Sequence, residues 1–258
     1  MTNRLKDKWI IITGASSGIG RACAQAFANM GANLVLIARR ADRLIELKNE
    51  IESAHNVRVL CHVCDIRNRA EVEKTMLSIK AENIEPDVLL NNAGLASGRS
   101  KIHEGDIEDW ERMIDTNIKG LLYVTRAILP GMVQRNRGHI INIGSTAGHQ
   151  VYQSGNVYNA TKFAVKALSE AINLDVFGTN IRCCSVDPAI TQTEFSLVRF
   201  HGDEAKAKPV YEGFQPLQAG DIADLIIYIT NAPAHVNIVS TVVYPTAQRN
   251  IYLLDKKG

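Results

Sequence analysis

The stretch Trp9-Ile-Ile-Ile-Thr13, followed at once by Gly14-Ala-Ser-Ser-Gly-Ile-Gly20, constrains this chain more than any other feature. A short apolar run that stops at glycine reads as a buried strand. Beyond it, Ile19, Ala22, Cys23, Ala26, Phe27 and Met30 recur at helical spacing. Gly31 then closes that helix as a C-terminal cap. A strand apolar on both faces needs cover on both, which is the condition of a parallel sheet between helical layers.

The same alternation runs to the end of the chain. Strands are expected at 33–38, 58–63, 87–91, 138–144, 180–186 and 238–244, and helices at 42–53, 69–80, 107–133, 156–177 and 219–230. Pro130 should disturb the third of these helices near its end, and Pro188 should stop the strand at 180–186. Strand–helix alternation of this kind predicts an α/β chain with a doubly wound parallel sheet of about seven strands and helices on both faces. No linker or repeat divides residues 1–258, so one domain is expected. The least periodic stretch, 191–218, follows a late strand at the carboxyl edge, where ligands bind in such sheets, and is a candidate substrate lid.

Composition narrows the function. A net charge of +2, with both signs interspersed, argues against nucleic acid or an anionic membrane as partner. No apolar stretch approaches the roughly 18 residues that span a bilayer, and 1–9 lacks a secretory apolar core, so a cytoplasmic location is expected. Cys61 and Cys64 have C-x-x-C spacing, but on a strand they point to opposite faces, so no metal site is assigned to them.

The glycine turn then acquires a chemistry. Glycines at 14, 18 and 20 let backbone approach a pyrophosphate, and the helix that follows directs free N–H groups at the anion. Sites for the unphosphorylated dinucleotide place an acid at the end of the second strand. Here that strand ends Ala38-Arg39-Arg40, and guanidinium pairs bidentately with phosphate. The predicted cofactor is therefore NADP, with Arg39 the main ligand of the 2′-phosphate and Arg40 secondary.

The chain resembles the short-chain dehydrogenase/reductase family in Thr13–Gly20, Asp65-Ile66, Asn91-Asn-Ala-Gly94, Asn117, Ser145 and Tyr158-Asn-Ala-Thr-Lys162, in that order. The resemblance implies a Rossmann-like fold and a cofactor site lined by Gly14, Ser16, Ser17, Gly18, Ile19 and Gly20. Asp65 would meet the adenine amino group, with Ile66 alongside. Asn92, Ala93 and Gly94 would line the cofactor further along, and Tyr158 and Lys162 would border it. Pro188, Ile190 and Thr193 would hold the nicotinamide amide, although Ala189 stands where the family has glycine. Asn117 would anchor a water that relays protons from Lys162. A homo-oligomer, usually a tetramer built on 107–133 and 156–177, is also implied.

Tyr158 and Lys162 share one helix face, four residues apart. An ordinary phenol, with a pKa near 10, is a poor base at neutral pH, and a nearby ammonium should lower that value. Tyr158 can then exchange a proton with an alcohol, while Ser145 polarises the same oxygen. The segments 193–203, 221–225 and 233–237 resemble the NADP-dependent 3-hydroxy acid dehydrogenase branch, which acts on serine and allo-threonine. Arg199 is the candidate for the substrate carboxylate, with Gln153 within reach. His103, His149 and His201 are read as surface residues. The alternatives are a broad carbonyl, dicarbonyl or 3-oxoacyl reductase, and a non-catalytic NADP-binding sensor.

Overall fold

The structure is a computed structural model that describes residues 2–257. Its frame is β1 (Trp9–Thr13), α1 (Gly18–Asn29), β2 (Asn33–Ala38), α2 (Ala41–Ala54), β3 (Val59–Val63), α3 (Arg69–Ala81) and β4 (Val88–Asn91). There follow α4 (Ile107–Ile114), α5 (Leu121–Arg135), β5 (Gly138–Ile143), α6 (Asn156–Asp175) and β6 (Ile181–Pro188). Strand β7 (Thr191–Gln192), α7 (Phe195–Arg199), α8 (Glu204–Ala207) and β8 (Leu217–Gln218) precede α9 (Ala219–Thr230) and β9 (Ser240–Val243).

Seven strands form one parallel sheet in the order β3-β2-β1-β4-β5-β6-β9. Alternation along β1 explains the two layers of helices. Ile10 and Ile12 enter a core shared with Phe27, Leu44 and Ile226 from α1, α2 and α9. Ile11 enters the opposite core, with Val72, Val124 and Ile172 from α3, α5 and α6. All three isoleucines are fully buried, which stabilises the strand by about 1.5–3 kcal/mol each. Cys61 packs against the first core and Cys64 belongs to the second, as their spacing predicts. The direction of winding reverses between β1 and β4, so the carboxyl ends of these strands open a crevice, the usual ligand position in such a sheet.

Two details depart from expectation. The helix expected over 107–133 does not weaken at Pro130, which lies inside an unbroken α5. It widens instead into a π-helical turn over Asp115–Gly120. A Cβ on Gly120 would sit 2.6 Å from Ile66 Cδ1, so the turn packs directly on the segment after β3. The segment 191–218 is also more ordered than its composition suggests. Its two ends pair as a short parallel ladder, Thr191 to Leu217 and Gln192 to Gln218, and α7 and α8 fill the interval.

Candidate active site

Every strand-end loop that the motifs occupy converges on one cleft of about 710 Å³. Its floor is the glycine turn between β1 and α1. Gly14 and Gly18 have φ of +65° and +53°, a region that favours glycine. Asn92, just past β4, ties the turn down by donating to the carbonyls of Thr13 (2.9 Å) and Gly14 (3.2 Å). The Thr13 hydroxyl accepts from the N–H groups of Asn92 and Ala93 in return. A Cβ on Gly20 would meet Asn92 Nδ2 and the Gly14 carbonyl at 2.5 Å, so the third glycine serves helix–strand packing. Gly20 and Asn117 stand behind the wall; the other residues assigned from sequence line the cleft.

At the end of the cleft beside β2, Arg40 donates to the hydroxyls of Ser16 (3.1 Å) and Ser17 (2.7 Å). It also pairs with Glu194 at 3.0 Å, and Arg43 takes the other oxygen of Glu194 at 2.6 Å. Burial opposes ionisation of Glu194, but the hydrogen bonds from Arg43 and Arg40 hold its carboxyl below the usual range. Arg39 is exposed, lines the mouth and has no hydrogen-bond partner among the described residues. Asp65 is gripped by the Arg67 guanidinium, at 3.0 Å from Nε to each oxygen, which lowers its pKa. Arg43, Arg67 and Glu194 escaped the sequence reading. Arg67 follows Asp65 closely, and that proximity was the available signal; Glu194 is brought to Arg40 only by the fold.

At the other end, Tyr158 lies in the first turn of α6 and is buried. Lys162 follows one turn later, its Nζ 5.9 Å from the Tyr158 ring centre. Ser145 comes just after β5, accepts from the Ala147 N–H at 3.1 Å and donates to the Pro188 carbonyl at 3.4 Å. The proton affinities differ from the simple expectation. Burial pushes the Tyr158 phenol up rather than down, and the groups that oppose this are the Ser145 hydroxyl and the Arg199 guanidinium. Lys162 donates to the Ile143 carbonyl at 2.8 Å, and burial lowers it to about 8. Burial disfavours the charged form of each.

Arg199, from α7, stacks 5.7 Å from the Tyr158 ring centre and donates to the Tyr152 hydroxyl at 2.8 Å. Phe195 packs on Tyr158 from the same helix, with ring centres 5.6 Å apart. Gln153 is exposed on the rim. The Asn117 side chain is fully engaged: it accepts from the Leu95 N–H and donates to the Leu95 carbonyl and the Thr161 hydroxyl. Ala189 has an ordinary backbone and donates to the Val243 carbonyl at 2.8 Å, so the loop does not require glycine there.

Two of the histidines read as surface residues have buried partners. His149 bonds the carboxylate of Asp187 at 3.0 Å, and Asp187 is 1% exposed. The Asp187 carboxylate also accepts from Ser185 at 2.7 Å and occupies the space a Cβ on Gly144 would need. His201 bonds Asp109 at 3.2 Å.

A dinucleotide-sized crevice with tyrosine, lysine and serine at one end and arginines at the other defines a nicotinamide-dependent dehydrogenase or reductase. The glycine cradle, the exposed Gly94 backbone beside Lys162 and the arginines beyond β2 fit such a cofactor. Residues 8–202 match the short chain dehydrogenase family, and this chain belongs to that family. The NADP-dependent 3-hydroxy acid dehydrogenase YdfG of Salmonella typhi is 46% identical to it over 240 residues, 93% of this chain and 95% of that protein. Sulfoacetaldehyde reductase 2 of Chromohalobacter salexigens is 42% identical, over 93% of this chain and 94% of its own length. Among solved structures, the closed form of serine dehydrogenase complexed with NADP+ superposes with a TM-score of 0.90 at 43% identity, covering 97% of this chain and 100% of that one.

Proposed function

We propose that this protein is an NADP(H)-dependent oxidoreductase that interconverts short 3-hydroxy acids, such as serine or allo-threonine, and their carbonyl counterparts. The observation that carries this reading is the Arg199 guanidinium stacked on the ring of Tyr158. A carboxylate held there would bring a hydroxyl two carbons away toward the phenol. The bound nicotinamide supplies the hydride acceptor or donor.

This chain's residues supply the rest. Tyr158 takes the hydroxyl proton in oxidation and returns it in reduction. Ser145 hydrogen-bonds the same oxygen and orients it. Lys162 holds positive charge beside the phenol, which favours the phenolate once the pocket is filled. Asn117, its amide committed to Leu95 and Thr161, is a positioning residue behind Lys162. Arg39 and Arg40 take the 2′-phosphate; Asp65 and Ile66 face the adenine, and Pro188, Ile190 and Thr193 the nicotinamide. The 191–218 segment, carrying Arg199, is the substrate lid. Its carriage of the acid-binding arginine couples substrate charge to closure.

The likeness to a sulfoacetaldehyde reductase favours a second reading, reduction of a short aldehyde bearing a sulfonate, since Arg199 can pair with either anion. Exposed apolar side chains on α4, α5 and α6, among them Ile107, Leu122, Val133 and Leu174, suit a homo-oligomer, for which we propose a tetramer. Among the described residues no helix is long and apolar enough to cross a membrane, and a cytoplasmic location is part of the proposal.

NADP reduction followed spectrophotometrically tests the assignment. 3-Hydroxypropionate and serine should be oxidised far better than propanol. Arg199→Ala should raise KM for these acids about 10- to 100-fold, the cost of a lost charged hydrogen bond. An unchanged KM would overturn the role of Arg199, and no advantage of acids over alcohols would overturn the substrate class.

A further inference from the structure

The substrate end of the cleft holds one guanidinium more than a single carboxylate needs. We infer that Arg99 is a specificity-determining residue, and that the preferred substrates are 3-hydroxy acids with a second acidic group beyond the hydroxyl carbon. This rests on the function proposed above and names the substrate class of the same site.

The placement of Arg99 is built rather than incidental. It follows Gly98, whose N–H donates to the Arg199 carbonyl at 2.9 Å and whose carbonyl accepts from Arg199 Nε at 3.3 Å. Gly98 has φ of +69°, and a Cβ there would sit 2.5 Å from Asp109 Oδ2. Asp109 is itself held by Ser97 (2.5 Å) and His201 (3.2 Å). The residue before Arg99 is thus tied by both its backbone groups to Arg199. Arg99 is exposed and is among the residues that line the cleft, with Tyr152, Gln153, Tyr158 and Arg199.

Charge points to the occupant. Two carboxylates line the cleft, Asp65 and Glu194, and arginines already hold both. Asp109, behind Gly98, has its own partners. Arg99 has no hydrogen-bond or ion-pair partner among the described residues, and Arg199 spends Nε on Gly98 and Nη1 on Tyr152. One carboxylate satisfies what remains of Arg199. A second unpartnered arginine on the lining of the same cleft matches a second planar anion. The chemistry is unchanged: the carbon-bound hydrogen leaves as hydride to oxidised nicotinamide, the hydroxyl proton passes to Tyr158, and a 3-oxo diacid results.

The test compares kcat/KM for 3-hydroxyglutarate and 3-hydroxypentanoate in NADP reduction. The wild-type protein should favour the diacid at least about tenfold, a complementary-charge preference of about 1.4 kcal/mol. Arg99→Met should reduce that ratio about tenfold, and Arg99→Lys should restore much of it. A wild-type ratio near one, or a ratio that Arg99→Met leaves intact, would overturn the inference while the acid dehydrogenase stands. If neither acid is oxidised and neutral alcohols are, the proposed function fails, and the inference with it.

Discussion

The two ends of the cleft handle positive charge in opposite ways. At the end proposed for adenosine Arg40, Arg43 and Arg67 are each paired with Glu194 or Asp65, while Arg39 forms no ion pair among the described residues. At the substrate end Lys162, Arg99 and Arg199 line or face the reacting space with no carboxylate among the lining residues there. The first end is a preassembled grip in which protein anions hold cations in place. The second leaves its cations without a carboxylate partner on the lining, as the proposed acid substrate requires, and the burial of Lys162 makes its charge costly. Binding and chemistry are therefore separable, and substitution can show where the division fails.

The largest effect belongs to the phenol. Tyr158→Phe should lower kcat by about 10²–10⁴, the usual contribution of a positioned acid–base group. NADP affinity, measured by titration, should change by no more than severalfold, because the arginines proposed to hold the 2′-phosphate lie at the far end. Turnover close to the wild-type rate would remove Tyr158 from the chemistry. A collapse of NADP binding in the same variant would mean the two ends act as one.

What was legible in the sequence follows the same division between local and distant. Strands such as β1 and β2 could be read because residues buried on both faces leave an unbroken apolar run. The glycine turn and the Tyr158–Lys162 pair could be read because their chemistry needs fixed short spacings. Glu194 could not, since 154 positions separate it from Arg40 and only the return of the 191–218 segment joins them. The same holds for His149 with Asp187 and His201 with Asp109. The helix break was sought at Pro130 because proline breaks helices in isolation. The structure instead widens the helix at 115–120, where Gly120 packs directly on Ile66. The Tyr158 phenol departs from its expected direction for a related reason: spacing shows which charges are near, but not how deeply the phenol is buried.

Lys162 tests whether the substrate end stores unfavourable charge. Burial lowers it from 10.5 to about 8, and Asp187 only partly compensates. Between those values the folded protein binds fewer protons than the unfolded chain, so stability rises with pH across that window. Below about 8 the buried ammonium carries its full cost. Lys162→Met should therefore be inactive yet more stable at pH 7, by roughly 1–3 kcal/mol. The advantage should shrink as pH rises toward 10.5. Calorimetry at pH 7 and pH 10 reads both effects, and a variant less stable at pH 7 would show that the ammonium is well satisfied where it lies.

The smallest expected effect probes the paired end. Arg40 and Glu194 are both 41% exposed, so their ion pair is worth about 0–1 kcal/mol. A 2′-phosphate brings a charge of about −1.5 to −2 beside that carboxylate and seeks the same guanidiniums. Glu194 therefore competes with the ligand it helps to organise. Glu194→Gln keeps the shape and removes the charge, so NADP should bind about two- to fivefold more tightly, with a smaller change for NAD. The gain should fade with added salt, since like-charge repulsion at an exposed site is screened over about 8–10 Å. Weaker NADP binding in the variant would mean that holding Arg40 and Arg43 in position outweighs the repulsion, and the paired end would then be an anion site organised by a resident carboxylate.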